Sequence, residues 1–192
     1  MTEKEIIGGV SVVVAMAGQG SYLWLVLRRA VKPHIFSWII WGLLGLIGAA
    51  AQYAADAGPG SWSVALSSIV CIFIAIAGFY HGERSITRGD WVCFVLLLSA
   101  IPVWLLTKNP MWAAVIVSAI DAGAFYPTFR KAWRRPHDEG ISAFGTYALQ
   151  MVVAFAALDN YTVTTTAYPV TLFVMNAAMA VLLLYRRRQV PV

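Results

Sequence analysis

Residues 20–33 read GSYLWLVLRRAVKP, and residues 123–136 read GAFYPTFRKAWRRP. In both stretches an apolar run passes into a cluster of basic residues and stops at a proline. The sequence downstream repeats as well: a shift of 105 residues places Cys71 on Asn176. An apolar chain duplicated in this way is typical of carriers, in which two bundles surround a shared cavity.

The composition indicates that the bilayer is the solvent of this chain. Of its 192 residues 60% are hydrophobic and 12% are charged, and the mean hydropathy is +0.72. A soluble domain of this size could not hide so much apolar surface. A membrane span needs about 20 apolar residues, with roughly 17–25 tolerated. The sequence predicts seven spans, at 6–27, 36–56, 61–81, 91–107, 111–130, 142–158 and 165–185.

The distribution of Lys and Arg supports the count of seven. With seven spans, 12 of the 14 basic residues fall on one side, and only Lys4 and Lys108 fall on the other. Positive residues stay cytoplasmic, so the prediction is a multi-pass protein of the cell (inner) membrane with its N-terminus outside and its C-terminus in the cytoplasm. The basic loops are interpreted as orientation anchors near anionic headgroups. Nucleic acid is not an expected partner, because these loops are short and lack a folded platform.

The spans divide into two triplets and a spacer. Residues 1–85 form the first three-helix repeat, 86–110 the linker helix and 111–192 the second repeat. Because each triplet has an odd number of spans, adjacent copies would insert in opposite directions, and the spacer restores the same direction. The predicted fold class is an all-α membrane protein with seven transmembrane helices in a 3+1+3 parallel tandem repeat of three-helix bundles.

Residues 125–131 (FYPTFRK) and 139–142 (EGIS) carry a family resemblance. They resemble the signature of the PQ-loop proteins, relatives of the SWEET sugar transporters, although Thr128 stands where the signature has Gln. The resemblance implies the three-one-three plan, transport of a small solute, and a ligand-binding role for Asn176, which occupies the position of that family's sugar-binding Asn.

A second resemblance rests on Trp38 and Trp41 in span two. Their spacing is similar to the W-x-x-W pattern of the nicotinamide-riboside transporters, which share the three-one-three plan. The pair is interpreted as an anchor at the membrane interface. The alternative is a platform on which a ligand stacks.

Asp121 lies near the middle of span five and is the most informative single residue. A charge at this depth costs on the order of 3 kcal/mol, so an intramembrane acid usually faces a cavity or a partner. It is predicted to couple transport to protons or to anchor the substrate, and the PQ-loop resemblance implies the first role. The alternative is a protonated carboxyl group bonded to a neighbouring hydroxyl or backbone group.

Other polar side chains at membrane depth complete the predicted substrate site. Amides both donate and accept hydrogen bonds, so they suit a polar solute, although each could instead bond another helix for roughly 0.6 kcal/mol. The aromatic residues Tyr126, Tyr147 and Trp24 could line the cavity or only pack. The predicted substrate-binding residues are Asn176, Gln150, Asp121, Tyr147 and Gln19, with Gln52 a weaker candidate.

Two prolines inside spans are candidate hinges. Pro127 and Pro169 remove backbone donors and bend their helices. In a carrier such a bend could let the bundle alternate between two open forms; static packing is the alternative.

An enzyme is not predicted. His34, His81 and His137 stand singly at the cytoplasmic rim, with no acid at metal-ligand spacing. The chain has no Gly-rich phosphate loop or nucleophile motif. Cys71 and Cys93 are interpreted as small core residues, and no metal or cofactor is expected.

The sequence therefore predicts a transporter that moves a small polar solute (a sugar, a nucleoside or vitamin, or an amino acid) by alternating access. Its expected partners are the lipid bilayer and the solute, and its expected state is a monomer or homodimer. The alternative is a receptor or sensor on the same scaffold, which binds its ligand without transporting it.

Overall fold

The computed structural model describes residues 1–83, 86–106 and 110–190. Of these described residues, 85% are helical. Its seven α-helices are α1 (Glu3–Leu27), α2 (Ile35–Ala54), α3 (Trp62–His81), α4 (Arg88–Leu106), α5 (Pro110–Arg134), α6 (Ile141–Ala156) and α7 (Val163–Gln189), and short 3-10 turns lie at Gly58–Ser61 and Pro136–Asp138.

The predicted number of helices is confirmed. Local chemistry explains where the two longest apolar helices begin. The hydroxyl of Thr2 accepts a hydrogen bond from the Glu5 N–H, and the Glu5 carboxylate accepts one from the Thr2 N–H. Thr162 and Thr165 make the same reciprocal arrangement at the start of α7. These capping boxes satisfy backbone donors that have no partner inside a helix.

Four helical segments are long and apolar enough to cross a membrane: α1, α2, Gly58–His81 and α7. Their outward faces carry large apolar side chains, among them Val13, Phe79 and Val181, each more than half exposed. Such faces are stable in lipid and costly in water. The chain is therefore a helical membrane protein. That α4, α5 and the 16-residue α6 also span the bilayer stays a prediction.

Six of the helices pack in a ring, in the order α1, α3, α2, α5, α7 and α6, and α6 packs on α1 to close it. For description, α1–α3 are called the first group and α5–α7 the second. In the first, α3 lies between α1 and α2; in the second, α7 lies between α5 and α6. The groups meet where α1 packs on α6 and α2 packs on α5. Helix α4 packs against α5 and α2 at the side of the bundle.

Most charged side chains gather at one end of the bundle, called the basic end here. It comprises the C-terminal ends of α1, α3, α5 and α7 and the N-terminal ends of α2, α4 and α6. Ion pairs join its loops, such as Lys32 with Asp138 at 3.6 Å. At the opposite end Lys4 lies 3.5 Å from Asp159. Arg84 and Lys108 lie outside the described residues, and the compartment that each end faces stays a prediction.

Glycines allow the two groups to approach closely. A Cβ atom on Gly18 of α1 would lie 2.1 Å from the hydroxyl oxygen and 2.9 Å from the Cβ of Thr146 in α6. Gly20, two residues later, has no neighbour within 4 Å of such an atom. Small residues at helix contacts let backbones pack tightly in lipid.

We expect Gly18→Val to lower the free energy of unfolding by about 1–3 kcal/mol, because the larger side chain forces α1 away from α6. Thermal unfolding of the detergent-solubilised protein measures this. Gly20→Val is the matched control on the same helix and should leave the melting temperature nearly unchanged. Equal shifts for the two variants would contradict the packing of α1 on α6.

Candidate functional site

A cavity lies at the centre of the bundle, between the two groups of helices. Every α-helix except α4 contributes to its described lining, and six of the lining side chains are aromatic. The lining residues are Gln19, Trp38, Trp41, Cys71, Asp121, Phe125, Ala143, Phe144, Tyr147, Tyr168, Leu172 and Asn176. Cys71, Asp121 and Asn176 stand at the middle of their helices, so the cavity lies at mid-depth of the bundle.

The cavity is narrow in this conformation. The centre of a water molecule can occupy about 30 Å³ of it. A single water needs roughly 10–15 Å³ by this measure, so the cavity has room for about two waters. A larger occupant therefore requires the helices to move apart.

Asp121 faces this cavity and is fully buried. Its Oδ1 accepts a hydrogen bond of 3.0 Å from the hydroxyl of Tyr168 in α7. Its Oδ2 has no hydrogen-bond partner among the described residues. The hydrogen bond from Tyr168 agrees with the alternative of a carboxyl group bonded to a neighbouring hydroxyl group. The unpaired Oδ2 leaves room for a proton or a ligand, as the predicted coupling or substrate role requires.

Three more of the predicted substrate residues line the same cavity. The Gln19 amide nitrogen donates to Cys71 Sγ at 3.5 Å, and its oxygen has no partner among the described residues. Tyr147 is half-buried on α6. The Asn176 amide nitrogen donates to the carbonyl oxygen of Leu172 one turn earlier at 2.8 Å. The structure therefore brings together Asp121, Gln19, Tyr147 and Asn176.

The remaining amides lie elsewhere. Gln150 is fully buried but is not part of the described cavity lining. Its amide nitrogen donates to the hydroxyl of Ser67 at 3.0 Å, and the hydroxyl can donate back at 3.3 Å. This hydrogen bond joins α6 to α3, so Gln150 has the alternative role given above for the amides, which is to bond another helix. Gln52 is buried near the opposite end, also outside the described lining.

The interpretation of Trp38 and Trp41 as interface anchors is wrong. The two side chains are 4% and 7% exposed and line the cavity. Their rings meet edge to face at 5.1 Å, and Trp41 contacts the ring of Phe125 at 4.4 Å. They lie on the face of α2 that also bears Gly45, where α2 packs closely on α3. The glycine indicates that this face of the helix is buried, which the spacing of the two Trp residues alone does not.

Two other aromatic candidates face outward. Trp24 is 56% exposed and stacks under the guanidinium of Arg28, and Tyr126 is 58% exposed. Neither lines the cavity. Tyr168 and Phe144, which the sequence did not single out, line it instead.

The prolines lie inside their helices as predicted. Pro127 is buried in α5, next to Thr128, whose hydroxyl donates to Ser37 at 2.9 Å. Ser37 in turn donates to the carbonyl oxygen of Ala124 at 2.7 Å, so hydrogen bonds join α2 and α5 beside the proline. Pro169 is buried next to Tyr168 in α7. Their role as hinges stays a prediction.

Cys71 is a buried residue with a free thiol, as expected of a small core residue. The side chain of Cys93 lies outside the described ones. In the part of the chain that the structure describes, no three His, Cys, Asp or Glu residues are placed to hold a metal ion.

Buried charges close the basic end, a feature that sequence reasoning missed. Lys131 of α5 forms an ion pair with Glu139 and donates to the carbonyl oxygen of Lys32. The hydroxyl of Tyr22 donates to the other Glu139 oxygen at 2.6 Å. Glu139 is fully buried and Lys131 is 5% exposed. We call Tyr22, Lys131 and Glu139 the basic-end seal. For Lys131, the interpretation as a loop anchor is incomplete, because its charge lies inside the bundle.

A second buried charge ties α4 to the bundle. Asp90 is fully buried and lies 2.6 Å from the guanidinium of Arg130 in α5 and 3.6 Å from the imidazole of His34. It also accepts hydrogen bonds from the backbone N–H and hydroxyl of Thr87 at 2.7 and 2.9 Å. Asp90 therefore both caps the start of α4 and holds it against α5 and α2.

The pKa of His34 lies below its ordinary value. Burial is the main cause, since it disfavours the imidazolium; Asp90 on α4 acts in the opposite direction, and Lys131 and Arg130 on α5 add to the lowering. A base with a lowered pKa holds fewer protons in the folded state than in the unfolded chain. Its contribution to stability is complete above a pH of about 6.5 and is lost as the pH falls from there towards the lower folded-state pKa.

We expect the melting temperature of the wild-type protein to fall between about pH 6.5 and pH 5, and His34→Gln to reduce this slope because Gln does not titrate. Thermal melts across that range measure it. His81→Gln, at the same end of the bundle but only partly buried, should keep the wild-type slope. An unchanged slope in His34→Gln would contradict the assignment.

The fold and its cavity define a class of protein: a helical membrane protein with a central, aromatic-lined pocket that contains one carboxyl group among its described lining. No protein-family model, no curated protein and no solved structure matches this chain.

Proposed function

We propose that this protein transports a small polar solute across the cell membrane by alternating access. The observation that carries the proposal is the central cavity at mid-depth of an apolar bundle, with polar side chains of Gln19, Asp121 and Asn176 converging on it. Solute sites of carriers lie near the bilayer midplane, at the interface between repeats.

The helix contacts support two parallel repeats, 1–85 and 111–192, separated by the linker at 86–110. In each group the third helix lies between the first two. The contacts between groups correspond in the same way, because α1 on α6 becomes α5 on α2 when the groups are exchanged. Cys71 and Asn176, which correspond under the shift of 105 residues, both line the cavity. This arrangement fits the resemblance to the SWEET and PQ-loop transporters.

Contacts at both ends of the bundle support an alternating mechanism. At the basic end the seal joins α1, α5 and the start of α6. At the opposite end Lys4 contacts Asp159, and the Asn160 amide donates to the carbonyl oxygens of Ala55 and Asp56 at 3.0 Å. Breaking one set while keeping the other would open the cavity to one side at a time.

Asp121 is proposed to carry the coupling proton. A carboxylate buried without a positive partner is costly, so it either takes up a proton or meets a cation. The groups that face it are the Tyr168 hydroxyl on α7, the Cys71 thiol on α3 and the Tyr147 hydroxyl on α6, and the described lining contains no other acid and no base.

Flux into liposomes, measured for sugars, nucleosides, vitamins and amino acids at several pH values, tests the proposal. We expect Asp121→Asn to slow flux at least about tenfold, the factor carried by 1.4 kcal/mol of lost interaction, and to remove its pH dependence. Asp56→Asn, which changes an exposed carboxylate at the opposite end and leaves the backbone carbonyl in place, is the control and should keep both. An unchanged rate and pH profile in Asp121→Asn would contradict proton coupling.

The same assay separates the transporter from a receptor or sensor on this scaffold. A receptor would bind its ligand, detected as a rise in melting temperature, and give no flux with any solute in the panel. Flux that requires the reconstituted protein supports transport.

A further inference from the structure

We propose that the ligand of the central cavity is a small organic cation, with a substituted ammonium group or a flat cationic ring. This inference rests on the proposed function, because it names the ligand of the same site. The binding measurement tests it whether or not the protein transports the ligand. It rests on three observations: the charge of the cavity, its aromatic walls and its unpaired acceptors.

The charge of the cavity favours a cation. Asp121 is the one charged residue in the described lining, which holds no Lys, Arg or His. The buried cation of the basic-end seal, Lys131, is already paired with Glu139. With a neutral ligand Asp121 would have to take up a proton, and an anion would be repelled by the carboxylate, whereas a cation would supply the counter-charge that the described lining lacks.

The walls of the cavity are aromatic on several sides. Six rings come from four helices: Trp38 and Trp41 from α2, Phe125 from α5, Phe144 and Tyr147 from α6, and Tyr168 from α7. Aromatic faces attract cations through the ring quadrupole, and cages of such rings recognise quaternary ammonium groups. Aliphatic side chains would fill the same space without this attraction, so the choice of rings is informative.

The unpaired polar atoms of the lining include acceptors suited to a ligand that donates hydrogen bonds. Gln19 Oε1 and Asp121 Oδ2 are buried and have no partner among the described residues. Buried polar atoms in folded proteins are nearly always paired, so unpaired ones in a cavity mark places that a ligand or water completes. N–H or O–H groups of a cationic ligand would donate to these acceptors, and the indole N–H groups of Trp38 and Trp41, which are also unpaired in the described part of the chain, would donate to an oxygen of the ligand.

The size of the cavity limits the ligand. With room for about two waters in this conformation, the cavity must widen to admit even a tetramethylammonium-sized group. A small monocation is therefore favoured over a peptide, a disaccharide or a nucleotide.

The test compares choline with 3,3-dimethylbutan-1-ol, its neutral isostere, on the purified full-length chain in nanodiscs. Calorimetric titration and the intrinsic Trp fluorescence, to which Trp38 and Trp41 contribute, report binding. We expect choline to bind at least about tenfold more tightly than the alcohol, because only choline gains the cation–π and charge attraction. Equal affinity for the two would overturn the inference.

Matched variants locate the site. Asp121→Asn and Trp41→Leu should each weaken choline binding at least about tenfold, and Trp41→Phe, which keeps a ring, should retain part of it. Asp56→Asn and Trp24→Leu change the same residue types at exposed positions and should bind choline as the wild type does. Melting temperatures show which variants fold, and normal choline binding by folded Asp121→Asn together with Trp41→Leu would overturn the inference.

The failure of this inference and the failure of transport are distinguishable. Choline binding without flux into liposomes supports a cation site and contradicts a transporter. Flux of neutral sugars or nucleosides without choline binding supports a transporter and overturns the cation site. A melting temperature that rises with sodium ions but not with choline would also overturn the inference of an organic cation.

Discussion

Replacing Glu139 by Gln is expected to lower the free energy of unfolding by about 3–5 kcal/mol, since removal of one partner of a buried ion pair leaves the other charge uncompensated. Glu139 is fully buried, and its partner Lys131 is 5% exposed, so water cannot replace the lost carboxylate. The hydroxyl of Tyr22 loses a charged acceptor as well. Chemical denaturation in mixed detergent micelles measures the change.

Two further variants test the physical reason. Asp138→Asn removes a carboxylate from the partly exposed pair with Lys32 at the same end, which should cost only about 0–1 kcal/mol. The double variant Lys131→Met with Glu139→Leu removes both charges and should recover much of the stability lost in Glu139→Gln. If the single replacement of Glu139 costs no more than that of Asp138, the seal does not stabilise the bundle.

Asp90→Asn is expected to have an effect of similar size, about 3–5 kcal/mol, for a different structural reason. Asp90 pairs with Arg130 and also caps the first turn of α4 through Thr87. Its replacement leaves a partly buried guanidinium without its counter-charge and loosens the start of α4. Amide hydrogen exchange should therefore rise first in Arg88–Leu106, with smaller changes in α1 and α6.

Asp56→Asn is the control for this prediction. Asp56 is exposed at the opposite end and has a φ of 51°, a conformation that Asn tolerates well. Its replacement should leave both stability and exchange close to wild type. Uniform exchange changes across all helices in Asp90→Asn would contradict a specific role in holding α4.

The sequence was sufficient to predict the number of helices and most of their bounds, because apolar runs of membrane length alternate with prolines and basic clusters. It also identified Asp121, since a carboxyl group at membrane depth is costly unless it faces a cavity or partner. The depth of Asn176 and Gln19 along their helices could be read directly, and both line the cavity.

Other parts of the site depend on the rotation and packing of helices, which spacing does not determine. Trp38 and Trp24 both lie near the basic end, yet one faces the cavity and the other faces outward. Gln150 is a buried amide like Asn176, but it pairs with Ser67 on α3. The basic-end seal joins residues of α1, α5 and the segment before α6, so only the assembled bundle reveals it.

Tyr22 has two contacts whose combination has a mechanical consequence. Its ring stacks on Trp38 at 4.8 Å, and its hydroxyl holds Glu139. A ligand that displaces Trp38 would strain the hydrogen bond from Tyr22 to Glu139. Loss of that hydrogen bond would in turn loosen the packing of Trp38. Coupling between two sites is reciprocal, so ligand binding in the cavity and opening of the basic-end seal would share one coupling free energy. In the proposed carrier, Tyr22 would therefore couple ligand binding in the cavity to opening of the basic end.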